Sequence, residues 1–357
     1  MPRSTVARIN LEALRYNFRV AQARAGTAQA MAVVKADGYG HGIRSVAKAL
    51  ASQASKFAVA CLEEALEIRA AGLDQPVVML QGVHSPQDLD VCRQQGFEPV
   101  LHNRAQLEWL TAASAPLFWL KVNTGMNRLG FRPDDLSLVL GELESAGCRI
   151  PVQGFVTHFA CADDTTSPMT VEQTRIFERA TAAWPELMRS VGNSAAHFLP
   201  GQPLYDWSRP GIMLYGASPV IGTTAKELGL RPVMTLEAPL ITTRVVGPGE
   251  SIGYGSSWVA DTETRMGMVA VGYGDGYPRH AGTGTPAAVR GQRIRLLGRV
   301  SMDMLAVDLS QVPEAKEGDR VELWGEQVSV DEVASCAGTI GYELLTGVTA
   351  RVPRVCQ

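Results

Sequence analysis

From about residue 31 to residue 216, short runs of apolar, often β-branched residues alternate with longer stretches whose apolar positions recur every three or four residues. The runs predict strands at 31–35, 56–61, 76–82, 97–102, 117–123, 151–159, 189–193 and 210–215. The stretches between them predict helices, such as 62–71, with Leu62, Ala65, Leu66 and Ile68 on one side, and 172–183. Strand–helix units in regular succession imply a parallel sheet. Eight of them fit a closed (β/α)8 barrel better than an open doubly wound sheet. No Gly-x-Gly-x-x-Gly follows the first strand, which argues against a dinucleotide-binding fold.

After about residue 230 the pattern changes. Strand-like segments at 233–246, 265–271, 293–297, 304–309 and 320–323 are separated by Gly and Pro, as in a mostly antiparallel β domain. Loops rich in glycine and aromatic residues, 251–258 and 272–278, interrupt it. The predicted architecture is therefore α/β: an N-terminal TIM-type barrel over residues 1–230 and a C-terminal β domain over 231–357.

Composition narrows the function. Apolar residues make up 46% of the 357 and charged residues 19%, which is ordinary for a soluble globular protein. A net charge of −3 leaves no basic surplus for a nucleic-acid backbone. No apolar run reaches the length of a membrane span, and the opening residues, Met1-Pro2-Arg3-Ser4, do not begin a signal peptide. Cys61, Cys92, Cys148, Cys161, Cys336 and Cys356 are scattered with no Cys-x-x-Cys pair, so they read as reduced, mostly buried thiols of a cytoplasmic protein.

In such a barrel the chemistry sits at the C-terminal ends of the strands. The first strand runs Ala32-Val33-Val34-Lys35, so its lysine meets the barrel mouth, where desolvation makes an amine a nucleophile toward carbonyls. A lysine merely snorkelling at a strand end is the other reading of that position alone. The fifth strand leads through Lys121 and Asn123 to Arg128, and the sixth ends at His158. The seventh leads to Asn193 and Ser194, the latter read as a helix N-cap. The eighth opens Arg209-Pro210-Gly211-Ile212. Loops after strands seven and eight, with a helix N-terminus, make the usual phosphate cradle of these barrels. A phosphate there and an amine at Lys35 describe a phosphorylated aldehyde held as an imine, which is pyridoxal 5'-phosphate.

At these residues the chain resembles the alanine racemases. The resemblance is carried by AVVKADGYGHG (32–42), NTGMNRLG (123–130), THFA (157–160), NSAA (193–196), RPGIMLYG (209–216), SIGYGS (251–256), GYGDGY (272–277) and RVSMD (299–303). It implies a racemase interconverting L- and D-alanine, a cytoplasmic homodimer with shared active sites, and a small amino-acid substrate. Lys35 would hold pyridoxal phosphate as an internal aldimine and act as one catalytic base, with Tyr254 of the partner subunit as the other. Tyr39, Ser194, Gly211, Ile212 and Tyr342 would bind the phosphate. His158 and Asn193 would seat the ring, and Arg209 would meet its pyridine nitrogen. Arg128 and the backbone N–H of Met302 would bind the substrate carboxylate. Lys121 matches a lysine that is carbamylated in some members. Asn123, where many members have Asp, with Gly38 and Gly274, departs from the pattern and bears on loop rigidity only.

A related decarboxylase would need a carboxylate at the pyridine nitrogen, which Arg209 opposes. A racemase of broader amino-acid specificity would share every motif. A single-barrel cofactor-binding regulator would lack the β domain. A metal-dependent barrel enzyme would need a strand-end cluster of His and carboxylates, which is not visible, and no metal is expected.

Overall fold

The computed structural model describes residues 4–110, 115–145 and 152–357. Met1 to Arg3, Cys148 and Pro151, at the start of the expected sixth strand, lie outside the described residues.

The parallel sheet runs Gln29–Ala30, Trp207–Ser208, Met188–Ser190, Val152–Val156, Phe118–Lys121, Phe97–Leu101, Val77–Met79, Phe57–Val59 and Ala32–Val33. Its two ends, Gln29–Ala30 and Ala32–Val33, are consecutive in the chain and separated only by Met31. The Met31 N–H donates to Ser208 O (2.9 Å) and the Val33 N–H to Pro210 O (3.1 Å), while Ala32 N–H turns the other way to Lys56 O (3.0 Å). Residues 29–33 thus behave as one strand with neighbours on both sides. Counted so, the sheet has eight strands and closes on itself. The short β-branched runs are buried on both faces, as a parallel barrel requires.

The eighth strand is not where the periodicity put it. It is Trp207–Ser208, and the apolar run at 212–215 is instead a fully buried 3₁₀ turn, Ile212–Tyr215. Burial on every side makes a strand and a single helical turn look alike in sequence. Pro210 has no N–H to continue the ladder, and the Gly211 N–H goes to the Ser194 hydroxyl (2.8 Å).

The second sheet is mostly antiparallel, in the order Thr264–Val269, Leu305–Asp308, Gln292–Leu297, Pro286–Val289, Arg320–Trp324, Met234–Val246, Val6–Ile9 and Arg354–Cys356. Thr264–Val269 also pairs back onto Met234–Val246, so six of these strands close into a second barrel. The N-terminal strand Val6–Ile9 belongs to this sheet, antiparallel to Met234–Val246 and parallel to Arg354–Cys356. Asn10 then caps the helix Leu11–Arg24, its Oδ1 accepting from Ala13 N–H (2.9 Å). From that helix the buried Asn17 donates to Leu214 O and Arg231 O and accepts from Arg231 N–H, tying the two sheets' connection to the barrel. The cysteines do not pack as expected: Cys92 is buried, but Cys336 and Cys356 are exposed, Cys356 on an edge strand. No helix among the described residues is long and apolar enough to cross a membrane.

The floor of the first barrel carries a buried ion pair. Lys56 Nζ lies 2.6 and 2.7 Å from the Glu98 oxygens, and the Trp119 indole N–H donates to the same carboxylate (2.8 Å). The ammonium sits over the Trp207 ring at 5.0 Å and the Trp119 ring at 5.6 Å. Removing one partner of such a pair leaves an unpaired buried charge, which costs about 3–5 kcal/mol. Lys56→Met should therefore lower the urea midpoint sharply, and Lys56→Met/Glu98→Gln should recover at least half of the loss. Equal midpoints for the single and double variants would show that Glu98 does not carry the penalty.

Candidate active site

The first barrel strand delivers Lys35 from a run, Met31 to Val34, that is almost wholly buried. The backbone then enters a left-handed turn. Ala36, Asp37, Gly38 and Tyr39 have φ of 53°, 53°, 61° and 51°, and Gly40 follows at 79°. For a residue with a Cβ this conformation costs about 1–2 kcal/mol, so the surrounding bonds must hold it. Asp37 Oδ1 accepts from Ile43 N–H (2.8 Å), and the buried His41 Nδ1 lies 3.1 and 2.8 Å from the carbonyls of Gly38 and Tyr39. Glu64 Oε1 accepts from Ala36 N–H (2.6 Å), and Arg354 Nε donates to Gly40 O (3.0 Å). Gly40 is required twice over, by its positive φ and because a Cβ there would lie 2.1 Å from Leu345 O.

The turn carries Tyr39 back over the end of strand eight. Its ring stacks on Tyr215 (centroids 4.7 Å apart, 25° between planes), and the Tyr215 hydroxyl donates to Val33 O (3.0 Å). The Tyr39 hydroxyl comes so close to Gly211 that a Cβ at Gly211 would sit 2.4 Å from it. Ser194 does not cap its own helical turn. Its hydroxyl accepts from Gly211 N–H (2.8 Å) and Met213 N–H (3.3 Å), while Asn193 Oδ1 accepts from Ala196 N–H (3.1 Å) as the local cap. Tyr342, from the helix Gly341–Gly347, completes this corner with its ring 6.2 Å from that of Tyr39.

These residues border a cavity of about 1080 Å³ at the barrel mouth. Lys35, Tyr39, Ser194, Gly211, Ile212 and Tyr342 line it, as do Lys121, Arg128, His158, Asn193 and Arg209. A further lobe, with Gln81, His84, His102, Gln106 and Trp109, was not foreseen, and no motif in the sequence marks it. Tyr254 and Met302 are absent from the lining. They are 71% and 52% exposed, Tyr254 between the paired strands Ser251–Ile252 and Trp258–Val259, and Met302 on the loop before Leu305–Asp308 of the second sheet. There the 253–256 loop packs on Arg299, and the Gly274 N–H donates to Met302 O (2.8 Å).

Among the described residues, four cationic side chains line the cavity, Lys35, Lys121, Arg128 and Arg209, against one carboxylate, Glu343. The consequences are those of like charge in a dry site. Burial, then the Arg128 guanidinium, hold the Lys35 amine below the ordinary lysine value. Burial, then Arg209 and Arg128, push Lys121 well down. Burial, then Lys121, push His158 well below the usual imidazole range, so its ring is neutral. Arg209 is pushed down to about 10 by burial and stays charged at neutral pH. It donates to Ser190 Oγ (2.5 Å), Thr157 O (2.6 Å) and Val191 O (3.1 Å), with no carboxylate partner among the described residues. Asn123 organises its own loop by accepting from the N–H groups of Gly125 (3.2 Å) and Asn127 (3.0 Å), so the departure from Asp leaves that loop hydrogen-bonded. No group of three or more His, Cys, Asp or Glu side chains among the described residues is arranged to hold a metal ion.

Two family models match the chain: the alanine racemase N-terminal domain over residues 9–219 and the alanine racemase C-terminal domain over 233–356. The chain is 74% identical over 355 residues to an alanine racemase of Marinobacter nauticus, covering 99% of both. It is 48% identical to the biosynthetic alanine racemase of Pseudomonas aeruginosa, again over 99% of each chain. A crystal structure of a biosynthetic alanine racemase from Pseudomonas aeruginosa superimposes with a TM-score of 0.94 at 47% identity, over 99% of both chains. One from Bartonella henselae, with covalently bound pyridoxal phosphate, superimposes with a TM-score of 0.89 at 27% identity over the full length of both. Neither the decarboxylase nor the broad-specificity reading is favoured by these relatives. The chain belongs to the alanine racemase family, and its activity is the interconversion of L- and D-alanine.

Proposed function

We propose that this racemase holds pyridoxal 5'-phosphate on Lys35 and moves the substrate Cα proton between two bases, Lys35 and Tyr254 of the partner subunit. The observation that carries the reading is the cationic cavity closing on the corner made by Tyr39, Ser194 and Gly211. The residues fit the cofactor. The corner brings together the Tyr39 phenol, the Ser194 hydroxyl bonded to the N–H groups of Gly211 and Met213, and the start of the 3₁₀ turn Ile212–Tyr215, and a Cβ at Gly211 would collide with the Tyr39 hydroxyl. An amine of lowered basicity stands across from it. The bound pyridoxal phosphate of the Bartonella henselae relative supports the same assignment.

When bound, the cofactor withdraws electron density from the Cα of an attached amino acid and so loosens its proton. The protein's part is geometry and charge. Lys35 reaches one face of Cα and Tyr254 of the partner subunit the other, so a proton leaves one face and another returns to the opposite face. Arg128 and the Met302 N–H of the partner subunit hold the substrate carboxylate, as the surplus of positive charge favours. Arg209 disfavours protonation of the pyridine nitrogen, because like charges in a closed site repel. That limits the spread of charge into the ring and favours return of the proton to Cα. His158 and Asn193 seat the ring. We read Lys121 as a candidate carbamate: its amine, held well below the ordinary value, more readily gives up its proton to become the neutral form that adds carbon dioxide, and the product charge would face Arg128.

The working unit is read as a homodimer with residues 1–230 as the cofactor-binding domain and 231–357 as the domain lent to the neighbour. The exposed group of Tyr254, Tyr273, Met302 and Met304 supports this, since an apolar patch of that kind suits a partner surface. A cytoplasmic site and a supply of D-alanine for biosynthesis are the accompanying readings, supported by the free cysteines and the named biosynthetic relative.

The purified protein should absorb in the visible region, and borohydride should fix the label on the Lys35 peptide; a label on another lysine removes the assignment. Across a panel of amino acids in an enantiomer-resolved assay, alanine should turn over fastest. Mixing Lys35→Ala with Tyr254→Phe chains should restore activity toward about a quarter of wild type, because each mixed dimer regains one intact site. Mixed dimers that re-form yet stay inactive would rule out shared sites.

A further inference from the structure

We infer that Glu64 is a positioning residue for the reaction, clamping the left-handed turn after Lys35 and thereby fixing the approach of the Lys35 amine and the Tyr39 hydroxyl. The inference rests on the reading that Lys35 carries the cofactor.

Glu64 is the third residue of the helix Leu62–Ala70. Its Oε2 accepts from Ala60 N–H (2.8 Å) and its Oε1 from Ala36 N–H (2.6 Å). Ala60 follows the strand Phe57–Val59, and Ala36 follows Lys35 at the end of the strand before it. One carboxylate therefore ties the ends of two neighbouring barrel strands. The Ala36 N–H shares a peptide plane with the Lys35 carbonyl, so fixing it fixes the backbone angle that aims the Lys35 side chain.

The turn needs such a clamp. Ala36, Asp37 and Tyr39 all stand in a conformation that residues with a Cβ avoid. Asp37, His41 and Arg354 bond to its middle and far end, through Ile43, Gly38, Tyr39 and Gly40. Glu64 bonds its first amide, the one nearest the chemistry. The same carboxylate is the negative charge that opposes Arg128 and Arg209 at the Lys35 amine, favouring the protonated form. Holding a base in place while keeping it able to carry a proton is what a residue alternating between donor and acceptor requires.

The competing role is simple capping of the Leu62–Ala70 helix through Ala60. The two separate through residue 36, which lies outside that helix. Glu64→Ala should lower kcat about ten- to hundredfold with a smaller change in KM, as a displaced catalytic group does. Glycine adopts positive φ without penalty, so adding Ala36→Gly to Glu64→Ala should return about two- to fivefold of the loss. In cofactor-free protein, reductive methylation of Lys35 followed by peptide should reach half its limiting rate at lower pH in Glu64→Gln than in wild type, because a charge that stabilised the ammonium is gone. Glu64→Gln keeps the shape and one acceptor oxygen, and it serves if the alanine variant does not fold. Borohydride labelling of the wild type keeps the two readings apart. Label on another lysine overturns the cofactor assignment and this inference with it. Label on Lys35, with no gain from Ala36→Gly or no shift in the Lys35 profile, overturns the role of Glu64 alone.

Discussion

The barrel mouth gathers more positive charge than the protein itself neutralises. Lys35, Lys121, Arg128 and Arg209 border one cavity with Glu343 as the only carboxylate among its described lining residues. Each of the four would be an ordinary surface cation elsewhere. Burial and the neighbouring cations hold the Lys35 and Lys121 amines below the ordinary lysine value and keep His158 neutral. A site of this kind is completed by anions, and the chemistry assigned to it supplies them: a phosphate against Ser194 and Gly211, a carboxylate against Arg128. Burial and the same imbalance leave the Lys35 amine more readily unprotonated than that of a solvent-exposed lysine, and so free to take up a proton.

The fold holds this arrangement in place by expending backbone strain at one point and bracing that point from several sides. The closed barrel sets the strand ends around a ring, and the left-handed turn after Lys35 bends Tyr39 inward. The second sheet takes part directly. Arg354 bonds Gly40, and the Leu345 carbonyl packs where a Gly40 side chain would be, so the C-terminal segment of the same chain buttresses the turn. At the opposite end Lys56, Glu98 and Trp119 fill the floor with a satisfied polar cluster, keeping water and charge disorder away from the core.

Much of this was legible in the sequence, for physical reasons that also explain what was not. Short β-branched runs between amphipathic helices reflect strands buried on both faces, and these marked seven barrel strands well. The eighth was placed a few residues late, because Ile212 to Tyr215 are buried all round and carry no periodicity. Ser194 looked like a cap because serine before a turn usually is one; its hydroxyl is used across the barrel instead. The left-handed turn left little trace, since Ala36 and Tyr39 are not residues that announce positive φ, and only Asp37 with Gly38, Gly40 and Gly42 hints at it. Glu64 read as one more acidic residue in a first helical turn. Its second oxygen, which reaches another strand, is a tertiary fact. The catalytic reading of Tyr254 and the binding reading of Met302 entered through family resemblance; locally, the glycine- and aromatic-rich loop 251–258 marked its tyrosine only as exposed, more often a half-buried rim residue than a recognition residue, and nothing marked Met302.

The claim that an uncompensated cationic mouth demands an anionic occupant is tested most directly by melting cofactor-free protein with pyridoxal 5'-phosphate or with pyridoxal at equal concentration. Both aldehydes can react with Lys35, so the difference isolates the phosphate. A ligand bound a hundredfold above its dissociation constant stabilises by about 2.7 kcal/mol. The phosphorylated aldehyde should therefore raise the melting temperature by several degrees more than pyridoxal, and added salt should erode the gap. Equal shifts from the two, insensitive to salt, would contradict the account.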